Sequence, residues 1–237
     1  MLGRNYRRVF YWASVVRRLE GELPRECPLC GYQGRFAARG HPPRYDAVCA
    51  RCRSLERHRL FYLALQSHPL GPGSSILHFA PEPVIASLLR RIGPVKTADI
   101  EPGKADLALD IEKIDLPAES FDAAVANHVL EHVDDRLAIS ELFRILAPGG
   151  ILIVTVPLVE GWEATYENPQ VVSSAARVAH FGRHNHVRWY GRDFRDRIRR
   201  AGFALTEFTA SGEDCVRYGL VPGERVFFAA KPGSPLP

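Results

Sequence analysis

The feature that most constrains this chain is a regular alternation of short apolar runs with helical patterns, beginning near residue 76. Ile76–Ala80 reads as a buried strand and Val84–Ile92 as a helix with Pro83 in its first turn. Val95–Ile100, Ala105–Leu109 and Phe121–Asn127 read as three further strands. Leu137–Leu146 reads as a helix closed by Ala147-Pro148-Gly149-Gly150. Ile151–Val156 is apolar without alternation, the mark of a strand covered on both faces and so of a parallel sheet. Gly191–Ala201 reads as a helix ended by Gly202, and Phe203–Thr209 and Arg225–Lys231 as two final strands. Such a succession predicts a doubly wound, Rossmann-like α/β fold. Gly71-Pro72-Gly73-Ser74-Ser75 punctuates the entry to its first strand.

A different signal precedes that domain. Cys27-Pro28-Leu29-Cys30 and Cys49-Ala50-Arg51-Cys52 are two C-x2-C pairs separated by eighteen residues. Each pair aims two thiolates at one point, and the spacing falls in the range of a tetrahedral zinc site. Cys27, Cys30, Cys49 and Cys52 fill four positions, so the ion would be structural, with no position left for substrate. A redox dithiol and unpaired buried thiols are the competing readings. His41 and His58 flank the pairs, but the set is complete without them.

Residues 1–24 read as a basic amphipathic helix, with Arg4, Arg7, Arg8, Arg17 and Arg18 around Val9–Val16. That apolar stretch is too short to span a bilayer and carries no cleavage-site pattern, which sets the expectation of a cytoplasmic protein without a transmembrane segment. The organisation expected is therefore 1–24 basic helix, 25–58 cysteine module and 59–237 main domain, with a frayed tail over Lys231–Pro237. Apolar residues at 46% allow a large core, and a net charge of +4 permits an anionic partner without demanding one.

Open α/β sheets bind ligands beyond the C-terminal ends of their strands. Those ends are Phe79-Ala80-Pro81-Glu82, Asp99-Ile100, Asp110-Ile111, Asn127-His128 and Pro157. The run Ser120-Phe121-Asp122 through Asn127-His128-Val129-Leu130-Glu131-His132-Val133 resembles the class I S-adenosylmethionine-dependent methyltransferases. So does Glu141-Leu142-Phe143-Arg144 through Gly149-Gly150. Within that class it is most similar to the "type 11" group, over about residues 74–231. The resemblance implies a seven-stranded sheet and S-adenosyl-L-methionine as cofactor. It implies Asp99 on the ribose hydroxyls, Asp110 and Ile111 beside the adenine, and Asn127 and His128 near the methionine part and the reacting methyl. The family's first loop is usually G-x-G; here Ala80-Pro81-Glu82 stands there, and Glu82 is a candidate partner for the cofactor's ammonium.

Methyl transfer needs acceptor, methyl and sulfur in line, and a hydroxyl acceptor must also lose a proton. His128 and His186 are the candidate catalytic residues, with Arg188 facing either an acidic substrate group or an internal carboxylate. Val159–Arg188, with Trp162, Glu163, Tyr166 and Phe181, is the expected specificity region. A small or medium-sized metabolite is the leading acceptor. RNA is the second, because a four-cysteine module before this domain resembles some ribosomal-RNA base methyltransferases. Against RNA, the aromatic motif for a flipped base is absent. A non-catalytic binding or scaffold protein and a different transfer from the same cofactor are the remaining readings.

Overall fold

The structure is a computed structural model that describes residues 11, 21, 23–40 and 43–233. The basic helix expected over 1–24, His41 and the last residues of the tail lie outside the described residues. No described helix is long and apolar enough to cross a membrane.

The chain forms two compact units. One comprises residues 1–69 and 209–224, the other 70–208 and 225–237. The smaller unit holds two short antiparallel ribbons, β1 (Arg25–Glu26) with β2 (Gln33–Gly34) and β3 (Ala37–Arg39) with β4 (Arg44–Val48). Helix α1 (Glu56–Ser67) follows. The expected boundary after residue 58 would cut that helix in its first turn, and the units divide after Pro69 instead. His58 is the reason the helix starts where it does: its Nδ1 accepts from the Leu55 amide at 3.1 Å.

The larger unit is built on a seven-stranded sheet. Its elements are β5 (Ile76–Phe79), α2 (Pro83–Leu89), β6 (Val95–Asp99), β7 (Leu107–Ala108) and β8 (Phe121–Asn127). They continue with α3 (Asp135–Ile145), β9 (Leu146–Thr155), β10 (Tyr166–Glu167), α4 (Ser174–Phe181) and β11 (Arg188–Trp189), then α5 (Phe194–Arg200), β12 (Ala204–Phe208) and β13 (Val226–Ala230). The sheet order is β12-β13-β9-β8-β5-β6-β7, with β10 and β11 pairing apart as a small ribbon. Pairs from β9 to β7 are parallel, and β13 is antiparallel to both of its neighbours. Consecutive strands run outward from β5 in both directions, which leaves a topological switch between β5 and β8.

Local chemistry sets the helix starts. Pro83 occupies the first turn of α2, where its missing N–H costs nothing. Asp134 caps α3 by accepting from the Arg136 and Leu137 amides, so that helix begins two residues earlier than its apolar pattern suggested. One face of the sheet packs Leu77, Phe79, Ala124, Ala126, Leu152 and Val154 against Ile139, Leu142 and Ile145 of α3 and Phe194 and Ile198 of α5. The excursion between β12 and β13 carries α6 (Gly212–Tyr218), which sequence patterning did not predict and which belongs to the smaller unit.

Candidate functional site

The register of the sheet brings the candidate cofactor residues to one level. Phe79 pairs with Ala98 on one side and Ala126 on the other, so Ala80, Asp99 and Asn127 are each one residue past a common rung. Asn127 in turn pairs with Thr155, whose hydroxyl donates to Asn127 Oδ1 at 3.1 Å. The Leu109 amide donates to the Asp99 carbonyl at 3.0 Å, which holds the Asp110 segment beside Asp99.

The loop after β5 has no G-x-G, yet Ala80 adopts φ 45°, in the left-handed region that glycine prefers. An alanine held there carries a conformational cost of about 1 kcal/mol. Glu82 is the N-cap residue of α2. Phe79 is buried in the core, so only its backbone is available at this edge. Asp99 Oδ1 accepts from the Glu101 amide at 2.9 Å, and its second oxygen faces no protein donor among the described residues. Ile100 beside it is 67% exposed, a large apolar side chain presented at the strand end. Ile111, expected beside the adenine, packs in the core at 4% exposure. Asp110 is exposed and accepts from the Glu112 amide. The Glu141–Arg144 pair explains the second motif. Glu141 accepts from the Ile114 amide, and Arg144 donates to the Ile114 and Leu116 carbonyls, fixing the loop that carries Asp110.

His128 also has a left-handed backbone, φ 54°, where non-glycine residues concentrate at functional sites. Its Nδ1 lies 3.3 Å from Glu131 Oε1, and Glu131 is buried. His186 is buried as well and sits against His132, ring to ring at 4.8 Å. Burial lowers the His186 pKa, and the neighbouring Glu131 carboxylate opposes that shift. Arg188 turns inward: it donates to Glu167 and to the Leu130 and Val133 carbonyls, which settles its choice in favour of internal partners. Trp162, Ala164, Thr165 and Tyr166 line a shallow depression of about 540 Å³ in the expected specificity region.

In the smaller unit the four cysteines converge. Their sulfurs all lie within 4.8 Å of one another, with Cys27–Cys52 at 3.5 Å and Cys30–Cys49 at 3.7 Å. A tetrahedral zinc–thiolate centre with bonds of about 2.3 Å has edges of about 3.8 Å, so the donors fit such an ion. The thiols are not disulfide-bonded. Two equivalent turns build the cluster. Gly31 N donates to Cys27 O at 2.8 Å and Arg53 N to Cys49 O at 3.0 Å, with Gly31 at φ 68° and Arg53 at φ 62°. Ser54, buried beneath them, has its hydroxyl 3.2 Å from Cys52 Sγ and 3.4 Å from Cys27 Sγ, a contact that no spacing rule anticipates.

The strand order, with its single reversed strand beside the end of the parallel run, decides the architecture. The larger unit has the class I methyltransferase fold. Residues 89–154 match the family model described as a methyltransferase domain. Among solved structures with this fold, one is a chain of the complex between the Haloferax volcanii Trm112 methyltransferase activator and a methyltransferase. It is 17% identical, covers 77% of this chain and 92% of its own, and has a TM-score of 0.54. Another is the Burkholderia thailandensis 1,6-didemethyltoxoflavin-N1-methyltransferase with bound 1,6-didemethyltoxoflavin and S-adenosylhomocysteine. It is 18% identical, covers 74% and 78%, and has a TM-score of 0.53. The [4+2]-cyclase SpnF also shares this methyltransferase fold, at 17% identity, 75% and 81% coverage and a TM-score of 0.52. No curated protein matches the chain in sequence.

Proposed function

We propose that the protein transfers a methyl group from S-adenosyl-L-methionine to a small or medium-sized metabolite, with a structural Zn²⁺ held by Cys27, Cys30, Cys49 and Cys52. The observation that carries the reading is the level strand edge. There Asp99 offers an unengaged carboxylate oxygen, Ile100 an exposed apolar side chain and Ala80 a glycine-like backbone.

When bound, the cofactor supplies an electrophilic methyl on a sulfonium. Asp99 accepts from the ribose hydroxyls, as a carboxylate with a free oxygen can. Ile100 covers one face of the adenine and Asp110 accepts from its amino group. Glu82 lies in the loop that would meet the ammonium, with Pro81 and the Phe79 backbone shaping its approach. Ile111 supports this edge from the core. Asn127 and His128 close the edge where the acceptor enters. Glu131 orients the His128 ring through Nδ1, which leaves Nε2 to take a proton from an acceptor hydroxyl. His186 acts through Glu131 and His132.

Three arginines of the cysteine unit are engaged internally, while Arg35, Arg39, Arg51 and Arg53 are exposed, so the choice between a metabolite and RNA falls to the test. Arg59 is fully buried, Arg25 pairs with Asp46 and Arg44 pairs with Glu56, so these cations are occupied within the unit. The test is release of S-adenosylhomocysteine against panels of hydroxylated and amine metabolites and against total RNA. Turnover on a metabolite, lowered at least about tenfold by His128→Ala with the fold intact, supports the reading. Turnover on RNA alone, with steep salt dependence, replaces it.

A further inference from the structure

Beyond the strand edge, Glu131, His132 and His186 place three ligand-type atoms within 4.8 Å of one another. They reach that point from two elements. Glu131 and His132 sit on the 3-10 turn Leu130–His132, and His186 precedes β11, held there by the Val187 amide bonding to the Glu131 carbonyl at 2.9 Å.

The donors are incompletely satisfied. Glu131 is 1% exposed; Oε1 faces His128, but Oε2 has no partner among the described residues. His186 is 7% exposed and its Nδ1 has no partner among the described residues. A buried carboxylate oxygen and a buried ring nitrogen, each without a hydrogen-bond partner, are costly arrangements. His132 supplies the third donor in a prepared tautomer. Its Nδ1 lies 3.0 Å from the Asn185 carbonyl, which can only accept, so Nδ1 carries the proton and Nε2 keeps its lone pair. A backbone carbonyl on the far ring nitrogen is the usual support for a metal-ligating histidine. His128, beside Glu131, has a side chain 42% exposed, and His132 is half-buried.

We infer that Glu131, His132 and His186 form a second metal site, for a divalent first-row transition ion with coordination positions open to solvent or ligand. Two imidazole nitrogens and one carboxylate oxygen suit Zn²⁺, Fe²⁺, Co²⁺ or Mn²⁺ and disfavour the all-oxygen shells of Mg²⁺ and Ca²⁺. An ion there would be held by residues that carry unpaired buried donor atoms. The inference concerns binding and does not depend on methyl transfer.

The experiment is metal reconstitution of the tag-free full chain, stripped with chelator and titrated with Co²⁺. The expected result is two ions per chain. One shows thiolate-to-cobalt charge transfer from the cysteine centre; the other adds ligand-field absorption without it. His186→Ala should bind one ion and keep the thiolate spectrum. His132→Ala, at a half-buried position and so safer for the fold, should weaken the second ion at least about tenfold. Cys52→Ser should abolish the thiolate bands and spare the second ion. A single ion in the unaltered chain overturns the site, as does a second ion that survives both histidine substitutions.

Discussion

The two units are held together by different means. Among described residues between Arg25 and Leu55, the buried apolar side chains are Cys27, Phe36, Ala47, Val48, Cys49 and Leu55, in two small groups. The larger unit packs both layers of a sheet-and-helix core, from Leu77 through Ile198 to Phe227. A segment with so little apolar surface to bury needs other cross-links. The smaller unit supplies them in polar form. One is the four-thiolate cluster. The other is Arg59, whose guanidinium donates to the carbonyls of Asp46, Ala47, Ser54, Tyr218 and Gly219 while lying 4.6 Å over the Phe36 ring. Arg59 thereby ties the cysteine segment to residues that follow it by some 160 positions within the same unit. The difference teaches that the same chain uses directional, all-or-none contacts where area is scarce and distributed packing where it is not.

That contrast can be broken experimentally. The largest effect is expected from Cys49→Ser. Structural zinc in such centres contributes on the order of 10 kcal/mol to folding. The variant should lose the thiolate-bound ion and the hydrogen-exchange protection of residues 25–67, while the sheet stays protected. Retention of both would show that packing suffices in the smaller unit.

Arg59→Ala comes next. It strands several buried carbonyls at once, for a loss of roughly 3 kcal/mol or more, read as a lowered denaturation midpoint of the smaller unit. A loss below about 1 kcal/mol would mean that Arg59 fills space without organising it.

The larger unit offers a matched probe. His78 is fully buried in β5 with neither ring nitrogen partnered among the described residues, and burial pushes its pKa down to about 4. In the unfolded chain it titrates near 6.5. The unfolded state therefore binds the extra proton between these values, and the His78 contribution is complete above pH 6.5 and is lost as pH falls towards 4. The loss is about 3 kcal/mol. Chemical denaturation across that window should show the slope, and His78→Leu should flatten it; an unchanged slope would remove His78 as its source.

The smallest effects sharpen the comparison residue by residue. Arg53 in the smaller unit and Ala80 in the larger both hold left-handed backbones without being glycine. Arg53→Gly and Ala80→Gly should each stabilise by up to about 1 kcal/mol, less the entropy that glycine costs in the unfolded chain. Destabilisation by either would show that its side chain contributes more than the strain removes.

How much was legible follows the same division. The C-x2-C pairs announced a repeated local turn, and two copies of that turn are what the chain forms. The strands were legible because burial on both faces leaves runs such as Ile151–Val156 without polar interruption. Strand ends then followed from topology, which is why Asp99 and Asn127 fall on one level. What escaped was assembled by tertiary contact. Glu131 was quoted within a motif but given no role, because its proximity to His186, more than fifty residues later, is a tertiary contact. Helix α6 was missed because seven residues with one buried side chain, Cys215, leave no apolar period. The left-handed backbone at Ala80 in the first loop was also not legible, because only the dihedral angle reveals it.

The most direct test of the account is calorimetric titration of the full chain with S-adenosylhomocysteine, alongside Asp99→Ala. The account predicts one micromolar site per chain, weakened about tenfold or more by loss of the Asp99 carboxylate. Absence of binding by folded protein, or equal binding by the variant, would contradict it.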